Sequence, residues 1–494
     1  MSRVALKSIT RLKWNTINIF LSKILTFMSF YVIGVKLNSR IYGIKSIAFI
    51  IIGLTDKCTQ FRLSKGIRQK GVTSEDLDSL FWFNLILGVI ATIIMILIVY
   101  PISIYFNFLI IFYLIALSSL SYLFKPMNLV FRTILQKDAK YKEIEESKVI
   151  KSVLTKLSLI FFIYLNFGIY SFAFSHIVGV ASLTLYMFYT FKKNQLWLPS
   201  LTLNLNKAKK IYHFDRLIFL RNILNYIIEN IHAVVIGFVF GYESLGVYNF
   251  AKNLLRNIGN TISQTFKDIS NFIFKKAKKN KLKHFSQYYL TFVKIISLLI
   301  IPMSIFVAFF ADDLLHFFFK YKWDEAIIMV RIFAIILVFD VFSKGFIIPG
   351  LYAFDKSRDV LIREMFFIPL GLTLLIITAF ISAEAVAITY LIMVVIKTYS
   401  TRNLLNKICD ITLKIYYKQM LSAVIISVLS IVGILIVKTL IPDLNIIYMG
   451  MVFSLAYMIM IILKEKQEFL LIKQLVTNKE GNITIPTQTC NRND

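Results

Sequence analysis

Apolar runs of about twenty residues recur along nearly the whole chain, separated by short polar or basic segments. A run of that length matches the hydrocarbon thickness of a bilayer when coiled as a helix. The runs do not alternate apolar and polar residues with period two, so they do not read as strands of a transmembrane barrel. They predict an all-α polytopic membrane protein with about fourteen spans, at roughly 15–37, 41–60, 80–100, 104–124, 150–167, 169–191, 217–240, 245–267, 289–311, 326–353, 361–381, 384–403, 417–440 and 446–463.

The eighth of these is the least apolar. In "SLGVYNFAKNLLRNIGNTISQTFKDISNFIF" (244–274), helical spacing collects Asn249, Lys252, Asn253, Arg256, Asn257, Asn260, Ser263, Gln264 and Lys267 on one face. Val247, Phe250, Ala251, Leu254, Leu255, Ile258, Ile262 and Ile269 take the other. The distribution of basic residues argues that this segment is a span. Both ends of the chain and the loops after even-numbered spans, with their flanks, carry 41 Lys and Arg, against 5 in the loops after odd-numbered spans. Basic residues accumulate on the cytoplasmic side. The alternation therefore places both termini in the cytoplasm, and omitting the eighth span would invert every later loop.

Composition agrees. The chain of 494 residues is 57% hydrophobic and 17% charged, with mean hydropathy +0.71. Soluble domains carry about 25% charged residues. The net charge of +29 is explained by the basic loops and does not call for nucleic acid. Cys58, Cys409 and Cys490 form no CxxC or Cys/His cluster, so neither a metal site nor a disulfide framework is expected. The first apolar run follows a basic segment and lacks a small-residue cleavage site, so it reads as a retained span.

Charged residues inside spans are costly and mark function or pairing. Arg221, Asn225 and Glu229 follow an i, i+4, i+8 line in the seventh span, beside the polar stripe of the eighth. Lys23 adds a deeper cation, and Lys344 another within or at the edge of a span. The candidate substrate-binding residues are Lys23, Arg221, Asn225, Asn249, Lys252, Asn253, Arg256, Asn260 and Lys344, and no cofactor is expected. Glu229 and Asp340 are the candidates for proton or sodium coupling. Two readings stand for these groups. Glu229 pairs with Arg256 or Lys252 as a structural bridge, or the excess cations line a polar cavity that takes an anionic, hydroxyl-rich substrate. A faint internal repeat supports a transporter: Ile33-Gly34 lies nine residues before Gly43, as Ile236-Gly237 lies nine before Gly246.

Several segments carry a family resemblance. "VVIGFVFGYESLGVYNFAKNLLRNIGNTISQTFKDISNFIF", "ADDLLHFFFKYKWDEAIIMVRIFAI" and "GLYAFDKSR" resemble the Wzx-like polysaccharide exporters of the MOP superfamily, in the lipopolysaccharide, O-antigen or colanic-acid branch. "IYGIKSIAFIIIGLTDKCTQ", "GVTSEDLDSLFWFNLILGVI", "VFRTILQKDAKYKEIEES" and "LWLPSL" agree in order along the first half. The chain departs at "KYKW", where a glycine is usual shortly before the tryptophan and Phe319, Lys320 and Tyr321 stand instead, and at Lys137, where arginine is commoner.

The resemblance implies two six-helix lobes, 1–191 and 217–403, around a central cavity. A cytoplasmic linker (192–216), two further helices (404–463) and a cytoplasmic tail (464–494) complete the chain. It implies a bacterial inner-membrane flippase, not an enzyme, that moves undecaprenyl-diphosphate-linked oligosaccharide for O-antigen, capsule or exopolysaccharide synthesis. The implied partners are the lipid bilayer, a polysaccharide polymerase and chain-length machinery, with no nucleic acid. The alternative is a multidrug/cation antiporter of the related multidrug branch, which would want an anionic cavity. A polymerase or ligase would want a large outer loop, whereas the longest here, 312–325, is largely apolar.

Overall fold

The computed structural model describes residues 22–59, 73–105, 108–138, 140–202, 204, 216–280, 285–409, 411–441 and 445–464. Among them all regular structure is helical. The chain divides into two compact units, residues 1–249 and 250–494.

The first unit contains α1 (residues 22–36), α2 (Ser39–Thr59), α3 (Ser74–Tyr105), α4 (Leu109–Ser119), α5 (Lys125–Lys137), α6 (Tyr141–Tyr164), α7 (Tyr170–Lys193) and α8 (Arg216–Val239). It ends within α9 (Gly241–Asn280). Helix α3 starts at a reciprocal cap: the Thr73 amide donates to Asp76 Oδ2 at 2.9 Å, and the Asp76 amide donates to Thr73 Oγ1 at 3.4 Å. A 3₁₀ turn, Leu120–Leu123, and Pro126 in the first turn of α5 break the fourth apolar run, leaving a bend of 40°. Gly241, at φ +82°, makes the corner between α8 and α9.

The second unit holds the rest of α9, then α10 (Phe285–Phe309), α11 (Ala311–Phe319) and α12 (Ala326–Phe342). A π-helical turn, Ser343–Ile347, continues α12 into α13 (Ile348–Ala353). Helices α14 (Ser357–Thr378), α15 (Ala383–Cys409), α16 (Leu413–Leu440) and α17 (Ile446–Lys464) follow. Its core runs along α10, α12, α15 and α16, with Phe292, Ile296, Phe346, Leu405 and Ile426 fully enclosed. The tryptophan of "KYKW" is buried: Trp323 stacks on Phe250 with centroids 3.7 Å apart and planes 7° from parallel.

Among the described residues, each of the fourteen expected segments contains helix. Eight helices, or nine if the bent α4–α5 pair counts as one span, are long and apolar enough to cross a membrane by length and composition. The chain is a multi-pass helical membrane protein. Residues 244–274 are helix throughout. At 1.5 Å per residue, the 40 residues of α9 extend ~60 Å, about twice the hydrocarbon thickness.

Candidate functional site

Helix α9 carries most of the expected site, and the structure divides its polar stripe. Arg256, Asn260, Gln264 and Lys267 are exposed and follow one line along the helix. Asn253 and Asn257 are half-buried. Asn249 and Lys252 are buried. The Asn249 amide nitrogen has no hydrogen-bond partner, and Lys252 Nζ lies 5.7 Å from the centroid of the Tyr390 ring. The amphipathic angle placed these two side chains with Arg256, whereas the packing inserts them between helices.

The opposite face of α9 packs where apolar spacing put it. Phe250, Ala251 and Leu255 are buried. Two glycines bring α9 and α12 together in the second unit. A Cβ on Gly259 would meet Leu337 Cδ1 at 2.5 Å, and one on Gly345 would meet Ser263 Cα and O at 3.2 Å. Ser270 Oγ donates to the Gly345 carbonyl at 3.1 Å. Gly345 belongs to the π-helical turn, a feature often found at functional sites. Asp340 and Lys344 flank this seam and are joined: Lys344 Nζ lies 3.0 Å from Asp340 Oδ2, both half-exposed. Sequence reasoning gave Lys344 as a substrate cation and Asp340 as an ion-coupling acid, and in the structure they form one i, i+4 pair.

In the first unit, Lys23 is exposed on α1 and is an electrostatic neighbour of Lys156 on α6. Lys156 Nζ donates to the Ser22 carbonyl at 2.7 Å and to Thr26 Oγ1. Glu229 is exposed on α8. Arg221 and Asn225 belong to α8, but their side chains lie outside the described residues.

Sequence reasoning missed a second polar group inside this unit. Lys125 Nζ pairs with Asp56 Oδ1 at 2.7 Å, Lys151 is an electrostatic neighbour of both, and Tyr122 OH donates to the Ile52 carbonyl at 2.6 Å. His176 stands near Lys125 and Lys151, its Nε2 buried without a partner. Lys45 Nζ sits 4.8 Å from the Tyr42 ring centroid, 5.4 Å from Phe49 and 5.2 Å from Phe172. Asp56 in a greasy run was the available signal. Its partner lies 69 residues away, at a position that reads as loop. No group of three or more His, Cys, Asp or Glu able to hold a metal occurs among the described residues.

The order of these helices defines a fold shared with solved multi-pass membrane proteins. The backbone is similar to the lipid II flippase MurJ in an inward closed conformation, with TM-score 0.68 at 15% identity over 92% of this chain and 99% of that one. It is also similar to an inward-facing multidrug resistance MATE transporter of the MOP superfamily, with TM-score 0.53 at 15% identity over 80% and 91%.

Residues 37–328, more than half of the chain, match the polysaccharide biosynthesis protein family, and the chain belongs to it. Similar proteins include an uncharacterized membrane protein in the cps region of Klebsiella pneumoniae, 25% identical over 64% of this chain and 65% of that one. Teichuronic acid biosynthesis protein TuaB of Bacillus subtilis is 21% identical over 55% of each chain. Lipopolysaccharide biosynthesis protein WzxC of Escherichia coli is 25% identical over 50% of each. The matches thus span between half and two thirds of these relatives' own lengths.

Proposed function

We propose that the protein is a flippase that carries a lipid-diphosphate-linked oligosaccharide across the bacterial cytoplasmic membrane by alternating access, and that it is not an enzyme. The observation that carries this reading is the exposed line Arg256, Asn260, Gln264, Lys267 on a helix whose other face is packed. A helix presents such a line within a membrane protein where it meets water or a polar ligand. Guanidinium and ammonium groups suit a diphosphate, and amide side chains suit sugar hydroxyls. The described chain offers cations for this role, whereas a multidrug/cation antiporter would want acids.

Family membership supports the pathway, and the lipopolysaccharide and teichuronic acid relatives support a cell-envelope saccharide as cargo. The remaining site assignment is proposed with it: Lys23, Arg221, Asn225, Asn249, Lys252, Asn253 and Lys344 around the head group, with Glu229 and Asp340 for a coupling proton or sodium ion. So are the fourteen spans, the two six-helix lobes with their linker, added helices and tail, and cytoplasmic termini. A polymerase and chain-length machinery would act on the exported unit.

The test is export with Arg256 altered. Arg256→Ala should leave lipid-linked repeat units on the cytoplasmic side while protein levels in the membrane hold. Arg256→Lys should retain part of the activity, since the charge survives without the two-pronged donor. Full surface polymer in the Ala variant, with no second exporter present, would defeat the reading.

A further inference from the structure

Arg402 is a buried cation without a buried counter-charge among the described residues. It lies near the end of α15 and is only 4% exposed. Its guanidinium is boxed by three tyrosine rings, with centroids at 4.5 Å (Tyr399), 5.1 Å (Tyr416) and 4.7 Å (Tyr417). Its Nη2 donates to the neighbouring Asn403 Oδ1 at 2.9 Å, but its Nε is buried with no acceptor. One turn further on, the buried Asn406 accepts from Tyr289 OH at 2.7 Å through Oδ1, while its Nδ2 is buried with no acceptor. Two such donors at i, i+4 face the same way. Buried polar groups are nearly always partnered, so a paired exception asks for an absent acceptor.

The surroundings indicate which acceptor. The end of α15 and the starts of α10 and α16, where these residues lie, meet at one level of the second unit. Lys407, Lys414 and Lys418 are exposed around it. Tyr417, which closes the box on one side, is itself 48% exposed. The basic-loop pattern puts this level at the cytoplasmic surface, where anionic headgroups lie and tyrosines gather. Basic pockets between spans on that side suit lipid phosphates, and guanidinium matches a phosphate oxygen pair.

We propose that Arg402 and Asn406 form a binding site for the phosphate of an anionic lipid headgroup in the cytoplasmic leaflet, with the Tyr417 ring as its cover. The site is separate from the exposed line Arg256, Asn260, Gln264 and Lys267 on α9 and does not depend on which cargo is exported. It would hold α15 to α16 through a bound lipid.

The full chain would be purified and its thermal unfolding followed in phosphatidylcholine nanodiscs with and without phosphatidylglycerol, with lipid retention counted by native mass spectrometry. Phosphatidylglycerol should raise the unfolding temperature and remain bound, and inorganic phosphate in its place should not. Arg402→Gln should weaken retention by about tenfold or more, the usual loss for hydrogen bonds to a charged group. Asn406→Asp guards against simple misfolding. It keeps the acceptor for Tyr289, gives Arg402 an internal carboxylate, and should stabilise the protein in phosphatidylcholine while abolishing the response to phosphatidylglycerol. Asp410, outside the described residues, is controlled by Asp410→Asn, which should leave that response intact. The proposal fails if wild type does not respond to phosphatidylglycerol, if inorganic phosphate reproduces the response, or if Asn406→Asp responds like wild type.

Discussion

Gly43 on α2 and Gly246 on α9 cross backbone to backbone: a Cβ on Gly43 would fall 1.8 Å from the Tyr242 carbonyl oxygen, and one on Gly246 would fall 1.8 Å from the Ser39 carbonyl oxygen. The contact is reciprocal. Gly43 stands to Gly246 as Ser39 stands to Tyr242, each pair 203 positions apart. These are the two glycines of the faint internal repeat, so equivalent points of the repeat meet each other, as at a two-fold interface. Small residues let membrane helices approach this closely.

Either glycine replaced by alanine must therefore push the helices apart. Gly43→Ala or Gly246→Ala should each cost ~1–3 kcal/mol, the range for overpacking. The double variant should cost less than the sum, because one displacement relieves both clashes. Unfolding of the detergent-solubilised protein measures all three. Wild-type stability in either single variant would show that the helices do not meet this way.

How far the sequence carried is visible in α9. Its existence and its packed face follow from apolar spacing, and Phe250 and Leu255 are buried where that spacing placed them, whereas the helix runs from Gly241 to Asn280, well beyond the 245–267 that hydropathy marks. The angle could not separate Lys252 from Arg256, because it reports direction around an axis and not what stands there. Tyr390, which lies against Lys252, is far along the chain. The Asp56–Lys125 pair, His176 and the Arg402 box escaped for the same reason: each is made by partners on separate helices. The helical class, by contrast, is local and legible, since long apolar runs coil wherever they fall.

Lys320 is a second place where sequence and structure meet. The family resemblance leads one to expect a glycine shortly before this tryptophan, and Lys320 takes φ +54°, ψ −142°, a region suited to glycine. Backbone strain of this kind costs of order 1–3 kcal/mol. Lys320→Gly should raise stability by ~1 kcal/mol after the added flexibility of the unfolded chain is offset. A lower unfolding temperature would mean that the Lys320 side chain contributes more than its backbone strain removes.

Asp78 clamps the segment that leads out of α7. Its Oδ1 accepts from Trp197 Nε1 and the Ser200 amide, both at 3.0 Å, and its Oδ2 accepts from Ser200 Oγ at 2.5 Å and Thr202 Oγ1 at 3.1 Å. The Trp82 indole donates to the Ser200 carbonyl at 2.6 Å. The motifs "GVTSEDLDSL" and "LWLPSL" are thus two halves of one joint. Asp78→Asn should be mild, because the amide oxygen can serve the two fixed N–H donors and the hydroxyls can turn. Asp78→Ala removes the acceptor from the half-buried Trp197 indole and from the exposed Ser200 and Thr202, at ~0.5–1.5 kcal/mol for each hydrogen bond lost. Limited proteolysis after Thr202, rapid in the Ala variant and slow in the Asn variant, is the expected result. Equal rates would remove the clamp.

The Asp340–Lys344 pair decides between two roles for the α12 charges. If Lys344 meets the substrate and Asp340 takes the coupling ion, each acts on its own account. Asp340→Asn and Lys344→Met should then each reduce export with membrane levels unchanged, and the double variant should be no better than the worse single. If the two serve only each other, either single change leaves a charge beside the Gly345 seam without its partner, which destabilises a buried site and matters less at a half-exposed one. Membrane levels should then fall in the singles and recover in the double, with export recovering too. Export and protein level measured together across the three variants give the answer. Recovery in the double variant would withdraw both residues from the transport site and leave Arg256 and its line on α9 to carry it.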